Sequence, residues 1–352
     1  MPQFLIRKIT RRNPFAIERV PLLAKIYRHP FDKYSSPARQ FLFGAPNLLM
    51  FFLYQRLVPI KPKGTFRFRI GGKDKQIVFD ARNTQFSALY FSWFAQGYEP
   101  QVTALLDVLM PNNGVFLDVG SNWGWFSLFL SSQPDFQGQI HAFEPFHSTY
   151  ADLVSTVEQA GLRDVIHCHE VALSDTNGEA AMHLPDHFQS GTAVMADPKT
   201  RQSRKNVQMV TLDSLKLHAA SVIKIDAEGS ETKVLRGGSQ LIARHRPMIV
   251  FESGRRHQDP ESTLQPMRFL RDLGYTFFHL GWLRHAAGEP YFMGDDSDVN
   301  PQSEEILSLA RFEVNERFLH QDSMNIFACH EDRLRELVQQ FEPYQFSPKL
   351  QT

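Results

Sequence analysis

The most regular hydrophobic pattern in the chain lies at Val115–Val119, an apolar run that is interrupted only by Asp118. Turn residues precede it, Gly120 follows it, and a second apolar stretch of helical length begins at Trp125. Short apolar runs bounded by turn residues are typical of strands buried in a parallel sheet. The pattern therefore predicts a strand, a glycine turn and a helix, the unit at which parallel sheets bind nucleotide-like ligands. Glycine at this turn lets such a ligand approach the backbone N–H groups without meeting a side chain.

Strand and helix patterns continue to alternate after this unit, which is typical of an α/β fold with helices on both faces of a mainly parallel sheet. Further strands are predicted, in order, at QIHAFEP, DVIHCHEVAL, SVIKID, RPMIVFES, YTFFHL and NIFACH. The last two of these strands form a hairpin pair that closes the sheet. The long polar stretch at 185–206 predicts a flap rather than a simple connection.

Two features precede the parallel part. Alternating runs around a glycine-containing turn predict a β-hairpin over residues 65–81. Residues 1–40 are rich in lysine and arginine, and the apolar stretch 41–54 is too short to span a bilayer, which takes about 20 residues. Two interpretations of this N-terminal segment stay open. It either lies on an anionic membrane surface or packs as a helical cap on the rest of the chain, and we favour the cap.

The overall composition argues against a nucleic-acid partner and for a reducing compartment. Lys and Arg together number 38, as do Asp and Glu, so no global positive field favours a nucleic-acid partner. The two cysteines, Cys168 and Cys329, form neither a disulfide framework nor a zinc pattern, which indicates a reducing compartment and a cytoplasmic location. The segment HCHE at 167–170 is not predicted to bind a metal, because alternate residues of a strand face opposite sides.

Two carboxylates stand where the first two strands of the parallel part end. Asp118 precedes the glycine turn, where it suits a ligand with a cationic end, such as the ammonium group of S-adenosylmethionine, and would repel a dinucleotide pyrophosphate. Glu144 ends the next strand, at the same edge of the sheet, where it can accept the ribose hydroxyls of an adenosine. Because nicotinamide cofactors also contain ribose, Glu144 alone does not separate them from S-adenosylmethionine.

Several short motifs occur in the order and spacing of one known family. They are DVGSNWG at 118–124, FEP at 143–145, VALSD at 171–175, TLDSL at 211–215, KIDAEGSE at 224–231 and RPMIVFE at 246–252, with YEP at 98–100 and GTA at 191–193 besides. Together they resemble the FkbM-family methyltransferases over about residues 98–329. The resemblance implies a Rossmann-like, seven-stranded class I methyltransferase sheet with S-adenosylmethionine as methyl donor. It also implies an acceptor hydroxyl on a sugar, a glycan or a secondary metabolite.

The resemblance assigns residues as well. It implies that the donor is bound by Asp118, Gly120, Ser121, Asn122, Gly124, Glu144, Pro145, Val171, Ala172 and Asp226. Asp226 and Glu228 are the predicted catalytic residues, because a hydroxyl acceptor needs a base. Glu252 and His257 are further candidates at the same edge. We considered a Mg²⁺ ion between Asp226 and Glu228, but two carboxylates are not the signature of a site, and no metal is predicted.

The predicted organisation has three parts: an N-terminal extension at 1–82 with a helical segment and the β-hairpin, a methyltransferase domain at 83–335, and a C-terminal tail at 336–352. The expected partner is a small-molecule or glycan acceptor, with membrane contact through residues 1–54 as the lesser alternative and the oligomeric state left open. Two other functions also stay open. One is a nicotinamide-dependent oxidoreductase, which Asp118 and the missing third glycine disfavour; the other is a non-catalytic, methyltransferase-like binding module.

Overall fold

The computed structural model describes most of the chain, in ten stretches. These are residues 4–9, 14–20, 63–81, 83–90, 94, 97–183, 204–255, 259–286, 289–294 and 305–344. The apolar stretch 41–54 and His257 lie outside these residues, and so does the polar stretch 185–206 except for its last three residues.

Strands account for much of the described chain. They are β1 (Phe4–Ile9), β2 (Phe15–Arg19), β3 (Lys63–Ile70), β4 (Lys73–Asp80), β5 (Val115–Val119), β6 (Gln139–Phe143), β7 (Ile166–His169), β8 (Ala172–Leu173), β9 (Gly178–His183), β10 (Arg204–Val210), β11 (Val222–Ile225), β12 (Met248–Gly254), β13 (Tyr275–Ala286), β14 (Glu289–Met293), β15 (Glu305–Phe312), β16 (Ser323–His330) and β17 (Glu342–Tyr344).

The α-helices are α1 (Pro100–Leu109), α2 (Trp125–Ser131), α3 (His147–Ala160), α4 (Glu231–Gly237), α5 (Ser239–His245), α6 (Pro260–Asp272) and α7 (Leu334–Gln340). Short 3₁₀ helices occur at Thr84–Leu89, Leu212–Leu215, Val314–Leu319 and Glu331–Arg333. Within the described residues, none of the helices has both the length and the apolar character needed to cross a membrane.

The central sheet contains the seven strands that the sequence predicts, in the order β13-β16-β12-β11-β5-β6-β7. The five strands from β12 to β7 pair in parallel, and β16 runs antiparallel to both of its neighbours. The chain leaves β5 toward β6 on one side and returns to β11 on the other, so the strand order reverses beside β5. Ligands of such sheets bind at this switch point, outside the carboxyl ends of the strands.

The described sheet is larger than predicted, because β1, β14, β15 and β17 extend it to eleven strands. The prediction of seven strands was therefore incomplete. The extra strands all join at the β13 side, and β1 pairs with β15 along its whole length. An exposed sheet edge can pair with any extended segment, and the local sequence of such a segment does not identify its partner.

Helices cover both faces of the sheet, as predicted, and the alternation of side chains along β5 supplies two cores. Phe116 enters one core, whereas Leu117 and Val119 enter the other.

A smaller sheet, β8-β10-β9, lies beside the carboxyl end of β6 and pairs β9 with β10 in antiparallel register. The predicted flap at 185–206 connects these two strands and provides the first residues of β10.

The predicted β-hairpin is confirmed, since β3 and β4 pair antiparallel from Lys63–Asp80 to Ile70–Lys73. Gly71 and Gly72 form its turn with φ values of 52° and 76°, a conformation that favours glycine. β2 pairs with the other edge of β3. The strands β1 and β2 were not predicted, and they replace part of the expected helical segment.

The N-terminal strands are joined to the methyltransferase-like part by an aromatic cluster around Trp123. Its indole is 2% exposed, stacks on Phe86 at 4.8 Å between ring centroids, and lies 5.8 Å from Phe66 and 6.0 Å from Phe15. The indole Nε1–H also donates to the carbonyl of Gln85 at 3.2 Å. This cluster packs the predicted N-terminal extension on the following part of the chain. β17, in the predicted C-terminal tail, pairs with β1. The boundaries at 82 and 336 stay predictions.

Candidate active site

A cavity of about 1300 Å³, including its open mouth, lies at the carboxyl edge of β5, β6 and β11. Parallel strands end here beside the switch point, so polar groups from distant parts of the chain converge. Its lining residues include Gln85, Tyr98, Glu99, Gly120, Ser121, Asn122, Trp125, Phe126, Glu144, Pro145, Val171, Ala172, Met182, Met209, Lys224, Asp226, Glu228 and Glu252. Most of the residues to which donor binding was assigned are therefore brought together in one cavity.

The glycine turn after β5 has an unusual backbone. Gly120, Asn122 and Gly124 have φ values of 75°, 52° and 95°. A Cβ atom at Gly120 would lie 1.9 Å from the carbonyl oxygen of Asp226, so the end of β11 leaves no room for a side chain. The requirement for glycine at 120 thus comes from this backbone contact and the positive φ, whereas the sequence had suggested the approach of a ligand.

Asp118 and Gly124 lie outside the lining of the cavity. The Asp118 side chain is fully buried on the face of β5 that meets α2, where its Oδ2 accepts a hydrogen bond from Ser127 Oγ at 2.6 Å. Burial raises the pKa of this carboxyl, although the ammonium of Lys224 and the Ser127 hydroxyl oppose the rise. Direct contact of Asp118 with a ligand stays a prediction, and its observed partner is a helix residue.

Glu144 connects the glycine turn to the end of β6. It is 4% exposed, and its two carboxyl oxygens accept hydrogen bonds from the backbone N–H groups of Asn122 (3.1 Å) and Phe146 (3.0 Å). Burial raises the pKa of Glu144 to about 8 in spite of these two donors. Each oxygen keeps a lone pair that a ligand hydroxyl can use.

Lys224 is the buried cation of the site, and it was not among the predicted site residues. Its side chain is 3% exposed, its Nζ lies 2.8 Å from Asp226 Oδ2, and it lies 4.7 Å from the centroid of the Phe126 ring. Burial alone would lower the pKa of Lys224, but the carboxylates of Asp226, Glu99 and Asp118 together raise it above its ordinary value. Lys224 therefore stays charged and holds Asp226 in an ion pair.

Glu99 is a second residue of the site that was not among the predicted site residues. It precedes α1 with a φ of 39°, and its Oε1 accepts a hydrogen bond from Asn325 Nδ2 at 3.2 Å. Among the described residues no donor reaches Oε2. Burial, supported by the charges of Asp226 and Glu252, raises the pKa of Glu99 to about 7. The signal for Glu99 was present in the YEP motif, but nothing local placed it beside β11.

Three carboxylates meet on the outer side of the cavity. Asp226, Glu228 and Glu252 each offer one oxygen, and these oxygens lie within 4.8 Å of one another. Burial and the neighbouring charges of Asp226 and Glu252 raise the pKa of Glu228 to about 8. Burial likewise raises the pKa of Glu252, whose Oε1 accepts a hydrogen bond from Ser323 Oγ at 2.7 Å.

Such a cluster has two chemical uses. Carboxyls this close cannot all be ionised without repulsion, so one of them is ready to hold a proton and to exchange it with a ligand. The same three oxygens could also hold a divalent cation, although no metal was predicted. Glu228 has a φ of 46°, which directs the chain away from the sheet between β11 and α4.

Residues 107–277, just under half of the chain, match the family model described as the methyltransferase FkbM domain. The matched segment begins within α1 and ends within β13, so it includes the glycine turn, Glu144, Asp226, Glu228 and Glu252. This part of the chain is a methyltransferase FkbM domain. No curated protein matches the sequence.

Among solved structures, the chain is similar to a methyltransferase FkbM from Methylobacillus flagellatus KT, at 16% identity and a TM-score of 0.36, over 56% of this chain and 44% of that one. It is also similar to a putative O-methyltransferase from Klebsiella pneumoniae, at 13% identity and a TM-score of 0.36, over 66% of this chain and 87% of that one. An O-methyltransferase from Bacillus cereus in complex with SAH shares 13% identity at a TM-score of 0.34, over 74% of this chain and 95% of that one. The chain thus spans less than half of the Methylobacillus protein, and similarity at this level says nothing about the acceptor.

Proposed function

We propose that the methyltransferase FkbM domain of this chain transfers the methyl group of S-adenosylmethionine to a hydroxyl oxygen of a sugar, a glycan or a secondary metabolite. The observation that supports oxygen as the acceptor atom is the carboxyl of Glu228, which lines the donor cavity beside Asp226 and Glu252. A hydroxyl group must lose its proton as the new bond to carbon forms, so a base is required at this position.

The glycine turn and its surroundings fit the donor. Ser121 Oγ and Asn122 Oδ1 lie on the turn without a hydrogen-bond partner in the described part of the chain, and both residues line the cavity. Buried polar atoms of this kind call for a polar partner. Glu144 would accept the ribose hydroxyls, and the acids Asp226 and Glu99 are suited to the ammonium group of the methionine end. When bound, the donor supplies a methyl group on a positively charged sulfur.

The two predicted catalytic residues receive different roles in this proposal. Asp226 is held by Lys224 at 2.8 Å, so it serves to bind the donor end rather than to take up a proton. Glu228 has no such cation within salt-bridge distance among the described residues, and its raised pKa makes it the better proton acceptor. Alignment of the acceptor oxygen with the methyl group would supply much of the remaining acceleration.

Transfer of a labelled methyl group tests the function. The chain is incubated with S-adenosylmethionine that carries ¹³C in its methyl group and with glycan and small-molecule extracts. We expect labelled products whose methyl carbon has the chemical shift of an ether. Labelling of nitrogen or carbon atoms alone would contradict O-methylation. Donor binding without any transfer would favour the non-catalytic module instead.

Exchange of Glu144 for glutamine is expected to weaken the binding of S-adenosylmethionine about tenfold to a hundredfold at pH values above about 8, where the carboxyl is ionised, because a charged hydrogen-bond acceptor of the ribose is lost. Isothermal titration calorimetry measures the change. Glu170→Gln is the matched control, because Glu170 pairs with His147 at the surface and does not line the cavity. Equal affinity of the Glu144 variant and the control would show that Glu144 does not bind the donor.

The location and the surroundings of the protein are part of the same proposal. Cys168 and Cys329 are free thiols, which supports a reducing compartment such as the cytoplasm. Contact with a membrane surface through residues 1–54 stays the lesser alternative.

A further inference from the structure

A second cavity, of about 1140 Å³ including its mouth, adjoins the donor cavity. It lies between α4, α6 and the end of β12, and it shares Glu228 and Glu252 with the first cavity. A molecule bound in the second cavity therefore meets the donor cavity at the proposed base. This continuity makes the second cavity the natural place for the acceptor.

The lining of the second cavity is polar. The α6 residues Ser262, Thr263 and Gln265 contribute hydroxyl and amide groups to it. Groups of this kind suit a ligand with many hydroxyls, since each can donate and accept hydrogen bonds. The Ser262 hydroxyl donates to the carbonyl of Asp259 at 2.7 Å and still has lone pairs for a ligand donor, and the exposed amide of Gln265 can both donate and accept.

The charges of the second cavity come from two sets of residues. Glu228 and Glu252 lie where it meets the donor cavity, whereas Lys233 and Arg236 belong to α4. As neighbours three positions apart, Lys233 and Arg236 lie on one face of that helix. No carboxylate of the described residues forms an ion pair with either cation, although Asp175 and Glu231 also line the cavity. The Glu231 carboxyl accepts a hydrogen bond from the N–H of Gly229.

A third cation, Arg255 at the end of β12, also lines the second cavity. Its guanidinium lies 3.5 Å from Asp322 and 5.4 Å from the centroid of the Phe318 ring, so it is held in place. Arg255 thus adds a fixed positive group, while Lys233 and Arg236 keep their charges available to a ligand.

We infer that the second cavity binds the acceptor, and that this acceptor is a polyhydroxylated molecule with an anionic group, such as a sugar that carries a phosphate or a carboxylate. The anionic group binds at Lys233 and Arg236, and a hydroxyl of the same molecule reaches Glu228. This inference rests on the proposed O-methyl transfer, because it identifies the acceptor of that reaction.

Binding of defined probes tests the inference without turnover. Saturation-transfer NMR with the full chain measures the binding of glucose 1-phosphate, glucuronate and glucose at millimolar concentration. We expect both anionic sugars to bind and glucose to bind at least tenfold more weakly. The double variant Lys233→Ala/Arg236→Ala is expected to weaken the binding of the anionic probes about tenfold to a hundredfold. A stronger response to one anionic probe than to the other distinguishes phosphate from carboxylate.

Arg244→Ala is the matched control, because Arg244 is an exposed cation on α5 that lines neither cavity. We expect this variant to bind the probes as the unchanged chain does. Unchanged thermal unfolding of all variants shows that they are folded. If the double variant Lys233→Ala/Arg236→Ala is not folded, Lys233→Gln replaces it. The inference is overturned if neither anionic sugar binds, if glucose binds equally well, or if the double variant behaves like Arg244→Ala.

Methyl transfer to extracts separates this inference from the proposed function. The extract is divided by anion exchange into neutral and anionic fractions, and each is incubated with the labelled donor. We expect labelled ethers in the anionic fraction. Transfer confined to the neutral fraction would overturn the inference and leave O-methylation in place. Binding of the anionic probes without transfer to any fraction would contradict the proposed function alone.

Discussion

Replacement of Glu228 by glutamine is expected to lower kcat for methyl transfer by about a hundredfold to ten thousandfold, the usual contribution of a positioned base. Glutamine preserves the size of the side chain but cannot take up the proton of the acceptor hydroxyl. The affinity for S-adenosylmethionine is expected to change little, because the proposed donor-binding groups, Glu144 and the glycine turn, lie elsewhere in the cavity. Steady-state kinetics with the acceptor, together with calorimetry of the donor, separates the two effects.

The pH dependence gives a second readout of the same group. Burial first, and then the charges of Asp226 and Glu252, raise the pKa of Glu228 to about 8. A base acts in its ionised form, so kcat of the unchanged chain should fall as the pH decreases below about 8 and level off above it. In Glu228→Gln this dependence should disappear from the remaining activity.

Glu261→Gln is the control for Glu228, because Glu261 is an exposed acid of α6 that pairs with Arg268 and lines neither cavity. It should leave kcat unchanged. A Glu228 variant with undiminished kcat and an unaltered pH profile would exclude Glu228 as the base. Loss of activity in Glu252→Gln alone would then assign the role to Glu252.

Truncation of Trp123 to alanine is expected to lower the free energy of unfolding by about 3–5 kcal/mol, the usual cost of deleting a buried aromatic side chain. Trp123 packs against Phe15, Phe66 and Phe86, which belong to the N-terminal strands and the following 3₁₀ helix. Its loss would leave a cavity between these elements and the methyltransferase domain. Urea denaturation followed by circular dichroism measures the difference.

Leu319→Ala is the control for Trp123, because the Leu319 side chain is a large apolar group that is 78% exposed. A change within about 0.5 kcal/mol is expected for it. Trp123→Phe should lie between the two, because the ring contacts are partly kept and the hydrogen bond to the Gln85 carbonyl is lost. A loss below about 1 kcal/mol in Trp123→Ala would mean that the N-terminal strands contribute little to the stability of the domain.

Local patterns were sufficient to predict much of the fold. The apolar run at Val115–Val119 and the positive-φ glycines after it form the expected strand and turn. The hairpin over residues 65–81 was equally evident, because its alternation and its Gly71–Gly72 turn are features of neighbouring residues. The convergence of Glu144, Asp226, Glu228 and Glu252 also followed from the sequence, since the carboxyl ends of parallel strands meet at one edge.

Such local patterns do not predict which distant strands pair with each other. β1 lies next to β15, about three hundred positions away in sequence, and nothing in its residues names that partner. Trp123 belongs to the glycine turn, yet its side chain packs on the N-terminal strands. Asp118 turned out to bond with Ser127 of the following helix, because on β5 it faces α2 rather than the cavity.

The sequence by itself determined the seven central strands, from β5 to β16 in chain order, and the acids at the ends of the parallel ones, because hydrophobic period and turn chemistry act over a few residues. Only the tertiary structure decided which distant charges meet. Glu99 precedes β5, the first strand of the parallel part, whereas Asn325 lies on the antiparallel strand β16. Their hydrogen bond forms because β16 inserts between β12 and β13. The burial of Glu99 in the folded chain raises its pKa, and folding also places carboxylates around Lys224. The electrostatics of the site are therefore a property of the folded chain.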